Sequence, residues 1–527
     1  MGPEININSI LVLDKRIEEG VGDIIRLKRA RNSLLNISAR VPSEILGHVF
    51  CWNVASVGGF GGVLKGSYNF LLVCHHWFEV ASNTPELWAF WGNTLKQWSQ
   101  RYQRSKAAPI DLALSAYDHT HGGSIVSFDG PLRDALRDHA ASNSIRSIDL
   151  QGWNTDLLRS VISSLIVDDE DVRDSSVESL RLEYPDPDIS NFLTRYRFPK
   201  LRDLRLSISL GLASWDHLKL QAASLATLSL KFTLASSGPT TSQLLSILAS
   251  YPNLQFLSLD ETMIPHDVGD GSQLRVPLHH LKQLYLRGGC CHTFRLLHRM
   301  ECPDEMDRVD LELHQCAEEE ISELLEPYMR DRIRRDDRFQ DRLGIYISSM
   351  SNFISFGVGI IDEFNTSIMV PGYRHPSVSF TALFRDVLPR GAEEKLCINL
   401  VALTPREHVV HFTGGLTAYA MRNLFVNMPN IEDLYLKGSM VSDAFLHPDP
   451  LPRTKLLPSL RHLCLDHVAL RNEDDWSPLI TYLTHQTSGG QAISLRLCGG
   501  RTSVPRNVAK VIEGLVEEFN VGYPNTW

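Results

Sequence analysis

Leu225-Ala226-Thr227-Leu228-Ser229-Leu230 and Leu254-Gln255-Phe256-Leu257-Ser258-Leu259 are two copies of one unit, apolar-x-x-apolar-x-apolar. The last two apolar positions are two residues apart, the spacing that puts both on one face of a short strand. The unit also occurs at Ile145/Ile148/Leu150, Val177/Leu180/Leu182, Leu201/Leu204/Leu206, Leu281/Leu284/Leu286 and Met306/Val309/Leu311. It returns at Ile431/Leu434/Leu436, Leu460/Leu463/Leu465 and Ala492/Leu495/Leu497. Within each run, successive starts are 24 to 32 residues apart. A fixed period of that size predicts stacked repeats, each contributing one strand to a continuous parallel core that no repeat could bury alone.

Several segments between the strands read as helices that return along the outside. Leu244, Leu245 and Leu248 make one apolar face, and Ile321, Leu324, Leu325 and Tyr328 make another. The pattern weakens over 312–430. There Leu343-x-Ile345-x-Ile347 and Cys397 to Val401 suggest strands of degenerate repeats, while 356–361 and 367–373 fit no clear pattern. The expectation is an array that runs through irregularly. At the end, Val508, Val511, Ile512, Leu515, Val516 and Phe519 keep helical spacing, as a capping helix would.

Upstream the periodicity changes. In Val41-Pro42-Ser43-Glu44-Ile45-Leu46-Gly47-His48-Val49-Phe50, Pro42 suits a first helical turn, and Ile45, Leu46, Val49 and Phe50 form an apolar stripe. After a glycine-rich break at Gly58–Gly66, a second stripe follows: Phe70, Val73, Cys74, Trp77, Val80 and Ala81. Thr84 and Pro85 then read as the cap and first turn of a further helix. Two short helices cannot bury this much apolar surface against each other, which predicts a partner. A linker helix over 93–106, with Leu95, Trp98 and Tyr102 inward and Arg101 and Arg104 solvated, leads to the alternating strand Ile110 to Leu114. Before the hairpin, Ile10, Leu13, Ile17, Gly20, Ile24, Leu27, Arg31 and Leu34 step by three and four. That heptad could form a short coiled coil. Gly20 and Gly22 weaken it and favour a helix lying on the hairpin.

The composition, 43% hydrophobic and 22% charged, belongs to a folded chain, and the net charge of −10 argues against nucleic acid as a partner. Nine cysteines without a framework point to free thiols in a reducing compartment, cytosol or nucleus. No apolar run approaches a membrane span, and the myristoylation pattern fails at Asn6. Cys290, Cys291, His292, His298, Cys302, His314 and Cys316 are zinc-ligand types without paired zinc-knuckle spacing. Asp168 to Asp171 reads as a solvated loop, Gly357-Val358-Gly359 is too short for a dinucleotide fingerprint, and His75-His76 suits a rim position. With no nucleophile elbow or metalloprotease helix either, the expectation is a non-enzyme with no metal and no cofactor.

Three ordered blocks now carry a resemblance: Pro42-x-Glu44-Ile45-Leu46-x-x-Val49-Phe50, then Val73-Cys74-x-x-Trp77-x-x-Val80-Ala81, then Pro85-Glu86-Leu87-Trp88. Together they resemble an F-box, and with Ala108-Pro109-Ile110-x-Leu112-x-Leu114 and the repeats behind them the layout is similar to fungal F-box proteins. The implied fold is α/β, an N-terminal helical F-box followed by an irregular leucine-rich-repeat solenoid with parallel strands inside and helices outside. The implied organisation is a helical lead at 1–38, the F-box at 39–92, the linker helix at 93–106 and the solenoid at 107–527. The implied function is substrate recognition in an Skp1–cullin–F-box ubiquitin ligase. Pro42, Ile45, Leu46, Val49, Phe50, Val73, Cys74 and Trp77 would dock on the adaptor Skp1, and through it on a cullin. The residues beside the strand leucines would hold an unknown protein substrate, with Arg205, Tyr285, Arg287, Tyr435, Lys437 and Arg496 the types enriched at binding hot spots. The alternative is a repeat scaffold whose hairpin only caps the array.

Overall fold

The computed structural model describes 7–35, 41–56, 69–91, 98–105, 108–115, 130–142, 144–151, 155–166, 173–184, 188–208, 215–232, 239–260, 274–314, 343–350, 353–360, 379–384, 407–414, 430–437, 457–466, 473–498 and 504–522, with a few short pieces between. The chain is α/β and divides into two compact units, Met1–Leu201 and Arg202–Trp527.

The first unit opens with the helices α1 (Ile7–Leu35), α2 (Ser43–Ser56), α3 (His75–Ser82) and α4 (Pro85–Trp88). The strands Phe90–Trp91, Ile110–Ser115, Ile145–Gln151 and Ser179–Tyr184 follow, in that order and all parallel. Parallel neighbours need long crossovers. The helices Gly130–Ala141 and Thr155–Leu165 lie within two of them. Leu112 pairs with Ile148 and Ile148 with Leu180; Leu114 pairs with Leu150 and Leu150 with Leu182. Two apolar ladders therefore run across the sheet, every rung at most 5% exposed.

The linker helix forms over Trp98–Ser105, but its basic side is not solvated. Arg101 is 4% exposed and donates to the Phe90 carbonyl. The Arg104 guanidinium sits 4.3 Å from the Trp88 ring centroid. Long basic side chains bring an apolar stem as well as a charge, so a charge pattern alone misplaces them.

In the second unit the parallel strands Asp203–Ile208, Thr227–Phe232, Phe256–Leu259, Gln283–Gly289 and Arg308–His314 lie side by side. The first rung of the ladder is Leu204, Leu228, Leu257, Leu284 and Val309; the second is Leu206, Leu230, Leu259, Leu286 and Leu311. None is more than 2% exposed. The outer helix Thr241–Ala249 buries Leu244, Leu245, Ile247 and Leu248. Thr240 and Gln243 close a capping box at its start, the Thr240 Oγ1 accepting from Gln243 N–H and the Gln243 Oε1 from Thr240 N–H.

Hydrogen bonding continues through the weakly patterned section, but not as parallel repeats alone. Leu343–Met350 and Phe353–Ile360 form an antiparallel hairpin. Phe353–Ile360 also pairs antiparallel with Ser379–Phe384, which is parallel to Arg308–His314. Only residues 351 and 352 separate the hairpin strands, too short a link for anything but antiparallel pairing. Gly357-Val358-Gly359 lies inside a strand of this hairpin, while 367–373 and 397–401 fall outside the described residues. On the other side, Leu343–Met350 runs parallel to Glu407–Gly414. Asp433–Lys437, His462–Asp466, Ser494–Cys498 and Glu518–Gly522 complete the sheet, each parallel to the last.

Two expectations are corrected here. The last quoted repeat buries Ile493, at 0% exposed, while Ala492 faces out. The terminal helix stops at Leu515; Val516 is extended and Phe519 sits in the edge strand, paired with Leu495. Val516-x-x-Phe519-x-Val521 repeats the apolar unit once more, which is why the chain pairs there instead of continuing as helix. Among the described residues no helix is long and apolar enough to cross a membrane.

Candidate functional site: an apolar surface on the N-terminal hairpin

The hairpin core comprises Leu46, Phe50, Val80, Ala81, Leu87 and Trp88, with Val41, Cys51, Leu71 and Trp77 packed against it. The Phe50 and Trp77 rings meet at 5.1 Å between centroids. The Trp88 indole N–H donates to Ala81 O at 2.8 Å. Thr84 stands at the N-cap of α4 without capping it. Its hydroxyl instead donates to Val80 O at 2.8 Å, a carbonyl in the last turn of α3 that also accepts from Asn83 N–H at 3.1 Å. Gly47 faces this threonine, and a Cβ there would lie 3.0 Å from Thr84 Oγ1. These contacts fix α2, α3 and α4 against one another.

This core divides the residues expected at a partner surface. Leu46 and Phe50 are buried, and Trp77 and Cys74 are half-buried. Leu46 and Phe50 are therefore revised from contact residues to supports, and Trp77 packs on Phe50 with part of its surface exposed. Pro42, Ile45, Val49 and Val73 are exposed, Ile45 by 54%, Val49 by 50% and Val73 by 53%. Trp52 is 72% exposed and, at i+7 from Ile45, extends the Ile45–Val49 stripe by one more turn of α2. Leu72 and Phe78, on the turn Asn69–Leu72 and on α3, are exposed as well. Trp52, Leu72 and Phe78 were missed, although the i, i+4, i+7 spacing of Ile45, Val49 and Trp52 is readable in the sequence. Large apolar side chains gathered on a short rigid hairpin are the usual mark of an interaction surface. The glycine-rich 57–66 stretch and Asp168 to Asp171 lie outside the described residues. His75 and His76 are half-buried at the start of α3, and His75 lies 3.2 Å from Glu79.

The strand face of the second unit carries the other expected residues. Tyr285 and Arg287 do come together. The Tyr285 hydroxyl donates to Glu312 Oε2 at 2.6 Å, and Arg287 Nε lies 3.2 Å from Glu312 Oε1 and 3.5 Å from Asp260 Oδ1. Burial, and then the Glu312 carboxylate, push the Tyr285 phenol above its usual range. Arg205 is exposed and paired with Asp203 at 3.0 Å, and Arg496 is half-buried. Tyr435 is 5% exposed, its hydroxyl donating to Asp466 Oδ2 at 2.6 Å; it is a cross-strand brace and not a free hot spot. Lys437 lies in register with Asp466, and its side chain is outside the described residues.

Among the zinc-type residues, Cys290 is buried at the start of the helix Cys290–Leu297, and Cys316 lies outside the described residues. Among the described residues no three His, Cys, Asp or Glu side chains are grouped to hold a metal ion. No protein-family model matches the chain, and no curated protein is significantly similar to it.

Proposed function

We propose that this chain is the substrate-recognition subunit of an Skp1–cullin–F-box ubiquitin ligase. In this reading α2 to α4 form the F-box, and the strands behind it belong to an irregular leucine-rich-repeat solenoid that holds a protein substrate. The observation that carries it is the exposed Ile45–Val49–Trp52 stripe, on the face of α2 beside the buried Leu46 and Phe50. A helix laid into an apolar groove binds through residues at this spacing. Ubiquitin transfer then falls to other subunits, and this chain contributes surfaces alone. The charged ladder of Arg287, Asp260 and Glu312 supports a polar peptide surface as the substrate face.

Co-purification with Skp1 tests the reading, using Ile45→Asp/Val49→Asp against the unmodified chain. Both side chains are exposed, so the variant keeps its fold while its surface becomes charged. The expected result is loss of Skp1 with an unchanged thermal melt. Equal recovery by both versions would remove the adaptor claim and leave the hairpin as a cap on the repeats.

A further inference from the structure

We propose that α1 pairs with α1 of a second copy of this chain, as an antiparallel two-stranded coiled coil centred on Val21. This pairing is independent of the adaptor reading and uses none of its residues.

From Asp14 to Arg31 every residue of α1 but Gly22 is exposed. Val12, Ile17, Val21, Ile24, Ile25 and Leu27 are between 43% and 71% exposed. The expectation that this helix lies on the hairpin is therefore overturned for its described residues. A helix carrying two glycines and this much apolar surface is marginal in water, and pairing removes that surface from solvent. A Cβ built at Gly20 or Gly22 would meet nothing within 4 Å.

Charge placement identifies a second copy as the occupant and sets the direction of pairing. With Ile17 and Ile24 at heptad position a, and Gly20 and Leu27 at d, the flanking e positions are Asp14, Val21 and Lys28. Antiparallel pairing aligns each a with a d of the partner, so Ile17 meets Leu27 and Ile24 meets the small Gly20. The same alignment sets Asp14 opposite the partner's Lys28, twice by symmetry, and Val21 opposite its own copy. On the other flank Asp23 faces its own copy, a like-charge pair that Arg26 of each helix offsets by holding its own Asp23 at 2.6 Å. A parallel pair would set Asp23 beside the partner's Lys28, but it would stack Gly20 on Gly20, leaving a hole, and Arg31 on Arg31, like charges at the seam. The core positions of α1 thus complement one another in the antiparallel direction and conflict in the parallel one.

The test is the mass of the full chain over a dilution series, by light scattering or sedimentation at low salt. The wild type is expected to pass from one to two copies of 59.4 kDa as concentration rises. Ile17→Glu/Leu27→Glu should hold it at one copy. Lys28→Asp makes both flanking pairs repulsive and should weaken the dimer about tenfold. Asp14→Lys added to Lys28→Asp should restore it, since the two positions face each other only in the antiparallel register. A single copy at every concentration would overturn the proposal. So would a dimer indifferent to Ile17→Glu/Leu27→Glu, or a Lys28→Asp defect rescued by Asp23→Lys and not by Asp14→Lys.

Discussion

Phe50 and Trp77 meet across α2 and α3 with ring centroids 5.1 Å apart and planes inclined at 59°. Its neighbour on α2, Val49, points to solvent. Adjacent residues thus have separable duties, and the prediction is a split. Phe50→Ala should lower stability by about 3 kcal/mol or more, the cost of an aromatic removed from a core. Val49→Ala should leave stability within about 0.5 kcal/mol, as exposed positions do, while weakening any partner held by the α2 stripe. Thermal melts paired with adaptor binding measure both.

Tyr251 predicts an alkaline weakness in the second unit. Its hydroxyl donates to Leu218 O and accepts from Leu220 N–H at 3.0 Å. Burial pushes its pKa up to about 12. An unfolded tyrosine releases its proton near pH 10, so above that value the folded state holds the proton more tightly than the unfolded state does. Stability contributed by Tyr251 is therefore fully present below about pH 10 and is lost as pH rises towards about 12. Tyr251→Phe should cost about 1–3 kcal/mol at neutral pH, because it strands two buried backbone groups. It should also flatten the decline above pH 10. Denaturant midpoints measured from neutral to strongly alkaline pH would show both effects.

The strand ladder was legible because its signal is local: Leu228 and Leu230 are two residues apart and share one face whatever surrounds them. Other features depend on partners distant in sequence. Ile45, Leu46, Val49 and Phe50 look alike as a stripe, and only the arrival of Val80, Leu87 and Trp88 decides that Leu46 and Phe50 turn inward. Tyr435 reads as a surface residue until Asp466, on the next strand, captures its hydroxyl. Arg101 reads as solvated until a carbonyl from Phe90 accepts its guanidinium. The tail is a different failure. Val516 and Phe519 satisfy both the helical step of three and the repeat unit, and Val521 was the residue that distinguished them.

Gly288 predicts a steric conflict that a second substitution relieves. A Cβ added there would sit 2.9 Å from Ile264 Cγ1 and 3.2 Å from Ile264 Cβ, closer than core atoms approach. Gly288→Ala should therefore destabilise by about 1–3 kcal/mol, as overpacked cores do. Ile264→Ala in the same background removes Cγ1, the atom nearest the added Cβ. The double substitution should be less destabilised than the two single effects added together, in a denaturation cycle of all four versions.

Arg287 tests whether the charged ladder is structural or only decorates the strand face. Its guanidinium lies 3.2 Å from Glu312 and 3.5 Å from Asp260, whose side chains are 6% and 15% exposed. Removing the cation leaves two poorly hydrated carboxylates facing each other. Arg287→Met should cost about 3 kcal/mol, the lower end for breaking a buried ion pair from one side. Adding Glu312→Gln removes one of the stranded charges and keeps an acceptor for the Tyr285 hydroxyl. It should recover part of that loss, although Glu312→Gln alone is destabilising because it deprives Arg287 of a partner. Opposite signs for the same substitution in the two backgrounds are the expected outcome of urea denaturation. Additive losses would mean that the three side chains are independently solvated and that Arg287 is free to meet a ligand at no cost to the fold.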